Sequence, residues 1–257
     1  MSLRLTVVGC SGSLAGPDSP ASCYLLQAEH EGRTWNLTLD LGNGSLGALQ
    51  RHTDPMRLDA VVLSHLHPDH CLDLTGLHVM RRHHPQGRAT SRLPVHGPAN
   101  TAERIARAHG VERATDVTDV FRFVTVQDRR DFVIGPFRIV PFAVNHPVEA
   151  FGYRVSVGTV TIAYTGDTDS CPALLPLMAD ADLVLADSAF VEGRDTAPGI
   201  HLSGRRAAEA AVAAGGVQRL MLTHLPPWND PAVCREQAAQ VWPGAVELAE
   251  PGRTYEL

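Results

Sequence analysis

His65-Leu66-His67-Pro68-Asp69-His70, bounded by Ser64 and Cys71, places three imidazoles and a carboxylate in six consecutive residues. That density of nitrogen and carboxylate donors suits a pair of metal ions. The run follows Leu58-Asp59-Ala60-Val61-Val62-Leu63-Ser64, an apolar, β-branched stretch that reads as a buried strand feeding its polar end into a loop. Alternate side chains of an extended segment share a face, so His65 and His67 are expected to point the same way. Pro68 then turns the chain and brings Asp69 and His70 in from a second direction. Cys71 adjoins the cluster, but with histidine and aspartate donors already present it reads as a small buried neighbour.

Working outward, strands are expected before the cluster over residues 3–9, about 22–29 and about 34–41, with the Gly/Ser/Pro stretch from Gly9 to Ser22 as a loop near the metals. After it, Leu93 to His96 reads as a strand and Ala99 to His109 as a helix, followed by strands near 120–126, 132–134, 137–143, 151–157 and 159–164. The remainder echoes the first part: strand Leu183 to Ala186, helix Arg205 to Ala214, strand Arg219 to Thr223 and helix Pro231 to Val241. Ser203 and Asp230-Pro231 supply the helix starts. This order predicts an α/β fold with two β-sheets face to face and helices outside, a four-layer αββα sandwich. No low-complexity linker interrupts it, so residues 1–257 are expected to form one domain.

Three later apolar runs end in a metal-ligand residue type. Phe142-Ala143-Val144-Asn145-His146, Ile162-Ala163-Tyr164-Thr165-Gly166-Asp167 and Leu220-Met221-Leu222-Thr223-His224 each carry a donor at or just beyond a strand end. Rigid strands presenting donors at their ends are how a scaffold builds a precise ligand set.

This set resembles the metallo-β-lactamase superfamily, whose αββα fold carries His-x-His-x-Asp-His followed by His, Asp and His on later strands. The resemblance implies two divalent metal ions, zinc by preference, with manganese or iron suiting the same donors. It implies one ion on His65, His67 and His146, the other on Asp69, His70 and His224, and Asp167 bridging both. An aspartate at the bridging place resembles the phosphodiesterase and thioesterase branches; true lactamases usually place cysteine there.

Ala186-Asp187-Ser188-Ala189-Phe190, His201-Leu202-Ser203-Gly204 and Leu222-Thr223-His224 narrow the branch, because they are similar to the ribonuclease Z-like phosphodiesterases. What that similarity implies is a catalytic role for His201 at the scissile phosphate, stabilising its charge or protonating the departing oxygen. Asp187 would orient His201 where the family commonly uses glutamate, and Asp69 would both ligate and hydrogen-bond the nucleophile. Gly9-Cys10-Ser11-Gly12-Ser13, Asp40-Leu41-Gly42-Asn43-Gly44-Ser45-Leu46-Gly47 and His224-Leu225-Pro226-Pro227-Trp228 look closer still to actinobacterial cyclic-nucleotide phosphodiesterases.

The substrate expectation follows from charge and length. The formal net charge is −6, all 22 basic residues are arginine, and a phosphate-rich polyanion is therefore a poor match. The tRNA-processing relatives project a Gly/Pro-rich basic arm, for which the helix and strands expected between Gly97 and His146 leave little room. A small nucleotide is preferred, 3′,5′-cyclic AMP or GMP opened at the P–O3′ bond to the 5′-monophosphate. Trp228 and Ser11 are candidates for contacting it. The runners-up are a tRNA 3′-processing endonuclease and a glyoxalase II-like thioesterase, the latter giving no reason for His201 beside Asp187.

Gly42-x-Gly44-x-x-Gly47 also satisfies the dinucleotide fingerprint literally, but no parallel βαβ crossover is expected after it. The N-terminus reads as a strand without signal-peptide character, no apolar run spans a bilayer, and five unpaired-looking cysteines suit a reducing cytoplasm. Neither a nucleic-acid nor a membrane partner is expected, and a homodimer is open.

Overall fold

The computed structural model describes residues 2–85 and 91–257. Its first half contributes β1 (Leu3–Gly9), β2 (Cys23–His30), β3 (Arg33–Leu39), β4 (Ala60–Val62), β5 (Leu93–Gly97) and β6 (Phe121–Thr125), with α1 (Ser45–Leu49), α2 (Pro68–Cys71), α3 (Leu74–His83) and α4 (Thr101–His109). The second half contributes β7 (Phe132–Ile134), β8 (Phe137–Ala143), β9 (Phe151–Val157), β10 (Val160–Tyr164), β11 (Leu183–Asp187), β12 (Leu220–Thr223) and β13 (Val246–Leu248), with α5 (Leu174–Met178), α6 (Gly204–Ala214) and α7 (Pro231–Ala239). The last strand, β14 (Thr254–Glu256), returns to pair with β1.

These strands form two seven-stranded sheets, ordered β14-β1-β2-β3-β4-β5-β6 and β13-β12-β11-β10-β9-β8-β7. Strand periodicity explains why they stack. Leu3, Leu5 and Val7 of β1 and Leu183 and Leu185 of β11 point into a core between the sheets, while Val8 and Val184 point the other way. The outer face of the first sheet packs on α3 and α4 through Leu74, Leu77 and Ile105; that of the second packs on α5, α6 and α7 through Leu177, Ala207 and Cys234. Four layers result, the αββα sandwich, with strands apolar on both faces. Truncating Leu185, fully buried between the sheets, would cost about 2–5 kcal/mol.

Each sheet changes from antiparallel to parallel pairing at one strand: β3 pairs antiparallel with β2 and parallel with β4, and β10 pairs antiparallel with β9 and parallel with β11. Ligand sites of open α/β sheets form beyond the carboxyl ends of strands at such switch points. Here the segments leaving β3, β4, β10, β11 and β12 all carry polar residues that meet.

Most expected elements are present, and Ser203 and Asp230 cap their helices by accepting from Arg206 N–H and Ala232 N–H. The structure adds α2, α3, α5, β13 and β14, which the pattern does not reveal. It also corrects the reading of the Gly42 segment: β3 and β4 are parallel neighbours, joined through α1. No dinucleotide cradle follows, because a Cβ at Gly42 would sit 1.9 Å from the Asp69 carbonyl oxygen. That backbone is packed against α2.

Candidate metal centre

The loop after β4 turns at His67, which is extended (φ −69°, ψ 152°), and Pro68 opens the single turn of α2. His65 and His67 therefore leave the strand end on one side, and Asp69 and His70 approach from the helix. His67 Nδ1 lies 2.9 Å from His65 Nε2 and 3.2 Å from His146 Nε2, His146 following β8. A second group gathers around Asp167, beyond β10. Its Oδ1 is 3.2 Å from His70 Nε2, and its Oδ2 is 3.2 Å from His224 Nε2 and 3.7 Å from His65 Nε2. Asp69 Oδ2 stands 3.4 Å from His70 Nε2 and 3.8 Å from His224 Nε2. All seven residues expected as ligands are thus brought together, in two sets that could each hold a cation: His65, His67 and His146, and Asp69, His70, Asp167 and His224.

A surrounding layer of hydrogen bonds fixes which nitrogen faces inward. His146 donates from Nδ1 to the Ile200 carbonyl at 2.8 Å, so its Nε2 is free for the cluster. His70 donates from Nδ1 to Asp40 Oδ2 at 2.7 Å. Asp40, fully buried just beyond β3, also accepts from Ser64 N–H at 2.6 Å, Ser64 Oγ–H at 2.8 Å and Tyr164 O–H at 2.6 Å. Such outer partners orient ligands and raise their basicity. Sequence reasoning missed Asp40 as a site residue, because an aspartate before Leu41-Gly42 looks like turn chemistry. Both Asp40 (φ 60°) and His224 (φ 58°) adopt a left-handed backbone that non-glycine residues rarely hold, a strain that clusters at functional sites.

His201, between β11 and α6, donates from Nδ1 to Asp187 Oδ2 at 2.9 Å. The shorter acid reaches because Asp187 is the last residue of β11 and is gripped on both oxygens, Oδ2 accepting from Thr168 N–H and Oδ1 from Ala189 N–H at 3.0 Å each. The His201 ring centroid is 5.3 Å from that of His224 and 5.5 Å from that of His146, so the dyad adjoins both sets.

Electrostatics sort these groups. Burial, reinforced by the charge of His70, holds His65 well below the ordinary histidine range, and burial likewise lowers His67 and His146. Neutral imidazoles are the ligating form. Burial would raise Asp167, but His224 and His70 outweigh it and keep the carboxyl ionised; Asp69 is held low in the same way by His70 and His224. Burial also works against the charged form of His201, yet the Asp187 carboxylate prevails and lifts it to about 9. The Cys71 thiol is pushed up to about 12 by burial and stays a packing residue.

The donor set fits a metal on its own chemistry. His70 Nε2 and Asp167 Oδ1, buried 3.2 Å apart, make no hydrogen bond to each other or to any other described group, a costly arrangement that a cation would remove. The ring nitrogens of His65, His67 and His146 converge on one another, as donors aimed at one ion do.

The family model described as the beta-lactamase superfamily domain matches residues 37–225, which span this cluster from β3 to His224. The chain belongs to that superfamily. An uncharacterized Mycobacterium tuberculosis protein is 42% identical, covering 100% of this chain and 93% of its own. The probable metallo-hydrolase YhfI of Bacillus subtilis is 29% identical over 99% of this chain and 100% of its own, and its metallo-β-lactamase-fold crystal structure superposes with a TM-score of 0.88 over 100% of both chains. A Methanosarcina acetivorans ribonuclease Z is 28% identical and covers 87% of each chain. This superfamily member is a metal-dependent hydrolase.

The two residues expected to contact substrate lie on the loops that follow β12 and β1. Trp228 is 61% exposed on the loop between β12 and α7. Ser11 is buried and donates from Oγ to the Leu14 carbonyl at 2.7 Å, so that hydroxyl shapes its own loop. None of the described helices is long and apolar enough to cross a membrane.

Proposed function

We propose that this hydrolase is a phosphodiesterase opening the P–O3′ bond of 3′,5′-cyclic AMP or GMP to give the 5′-monophosphate. One observation carries the reading: the His201–Asp187 dyad adjoins two donor sets, and Asp167 of one set stands 3.7 Å from His65 of the other. A thioesterase with the same ligands has no use for that dyad.

In this reading His65, His67 and His146 would hold one zinc ion and Asp69, His70 and His224 the other, with Asp167 available to both. Bound there, the two ions supply an activated water and neutralise phosphate charge. Asp69 would also accept a hydrogen bond from the attacking water and so orient it opposite the departing 3′-oxygen. With Nδ1 committed to Asp187, His201 presents Nε2–H to the phosphate and gives its proton to the departing O3′. A raised pKa suits that donor. Asp167, Asp187 and His201 also group closely, but we assign them no third ion, since Asp187 is occupied by three N–H donors.

Substrate size follows from the connections. From Gly97 to Asp167 the chain is taken up by α4, a 3₁₀ turn (Ala114–Val117) and β6 to β10, joined by short links, with no projecting arm among the described residues. With a net charge of −6, this favours one phosphate over many. Trp228 offers an exposed indole face for a base.

The test is a zinc-reconstituted activity panel of cyclic AMP, cyclic GMP, a tRNA precursor and S-lactoylglutathione. The expected product is the 5′-monophosphate by chromatography. Cleavage of the tRNA precursor with cyclic nucleotides untouched would instead support ribonuclease Z activity, the function named for the Methanosarcina relative.

A further inference from the structure

The loop after β1 runs hard against His224. Gly12 donates its N–H to the Leu225 carbonyl at 3.1 Å, and a Cβ at Gly12 would meet the His224 carbonyl oxygen at 2.2 Å and ring Cδ2 at 2.9 Å. Only a glycine lets the backbone cross this ring so closely. At the next residue the chain reverses: Ser13 has φ 63°, and Leu14 N–H donates across it to the Gly12 carbonyl at 2.7 Å. An i to i+2 turn with a left-handed central residue is the rare and strained γ form. Its outcome is a single aimed donor, the Ser13 N–H, which points at His224 Nε2 from 3.4 Å.

That acceptor is already wanted elsewhere. His224 Nδ1 is engaged with Ser22 Oγ at 3.1 Å, and Nε2 is the nitrogen facing Asp167 and Asp69. A neutral imidazole has one lone pair, and once a cation takes it the Ser13 N–H has lost its acceptor. The donor then remains at the mouth of the cluster on an exposed residue, next to the ring that neighbours His201. An orphaned N–H beside a metal centre is a receptor for an anionic oxygen.

We propose that the backbone N–H of Ser13 binds a phosphoryl oxygen of the substrate, with the strained turn holding it ready and metal loading releasing it for that use. The proposal rests on the phosphodiester reading of the site, but its test does not require turnover.

The experiment adds inorganic phosphate to ¹⁵N-labelled zinc-loaded protein and follows the Ser13 amide. The amide proton should move downfield and saturate with the phosphate, and should stay put when phosphate is added to zinc-free protein. Ser13→Ala and Ser13→Gly keep the N–H and should bind phosphate about as well as the parent, whereas Ser13→Pro removes it and should bind about ten- to a hundredfold more weakly. An unmoved Ser13 amide at saturating phosphate overturns the assignment whatever Ser13→Pro does to the loop. Ser13→Ala binding as poorly as Ser13→Pro would transfer the contact to the hydroxyl and equally overturn it. If cyclic nucleotides prove inert while the amide still responds to phosphate, the substrate reading fails and the anion contact stands.

Discussion

His146 and His201 are tied together by one peptide: the His146 Nδ1–H donates to the carbonyl of Ile200, the residue immediately before His201. The loop holding that peptide is fastened by Asp169, which accepts from Gly199 N–H at 2.7 Å and from Arg206 Nη1 at 2.5 Å. A group oriented through such a chain moves when its anchor is cut. Arg206→Met should therefore lower zinc affinity and kcat together, each by about tenfold or more, as read by zinc titration and steady-state turnover. A fall in kcat with unchanged affinity would show that the two histidines are held independently.

Asp167 is the carboxylate lying between the two donor sets, with contacts to His65, His70 and His224. Asp167→Ala should reduce metal content from two ions per chain to one or none. Elemental analysis after reconstitution decides this; a variant retaining two would remove Asp167 from the bridging role.

His201→Ala should dissociate metal content from turnover. Both ions should remain, because its ring nitrogen is committed to Asp187, while kcat falls by about 10² to 10⁴, the range for a positioned acid or base. Near-normal turnover, or loss of metal, would reassign the residue.

Asp40→Ala leaves His70 Nδ1, Ser64 and Tyr164 O–H without their buried acceptor. The expected cost is about 3–5 kcal/mol of stability, with zinc affinity down about 10- to 100-fold. Urea unfolding and a competitive chelator titration measure the two. A destabilised protein with full zinc affinity would make Asp40 purely a packing residue.

The pH dependence of the metal-free protein has a definite sign. His201 is lifted from about 6.5 to about 9, chiefly against burial and by Asp187, so its contribution to stability is complete below about pH 6.5 and disappears as pH rises through about 9. Asp187→Asn should remove that part of the slope, making urea midpoints of variant and parent converge toward high pH. A constant gap between them across this window would contradict the coupling.

The strands were legible because runs such as Val61-Val62-Leu63 and Leu183-Val184-Leu185 are buried on both faces and carry β-branched residues. The donors were legible for a related reason: ends of strands are where the apolar run stops and a polar type stands out. Helix α3 was not, since Gly76 interrupts it and Asp73 spends its carboxylate on Leu46 N–H instead of capping its own helix. β13 and β14 are three residues each, too short for a period to show. The role of Asp40 depends on Tyr164, on the other sheet, and Ser13 N–H is a backbone group that no side-chain pattern announces. Those features are written in tertiary contact alone.

The two donor sets draw on loops from His65 to His224, so a cation there joins both sheets. Such a knot cannot form until strands distant in the chain have paired, and it has no part in an early folding nucleus. Interactions absent from the transition state act on the rate of unfolding. Bound metal should then leave the speed of refolding nearly unchanged while greatly lengthening the lifetime of the native state, making this hydrolase long-lived wherever its metal is plentiful and short-lived wherever it is withdrawn.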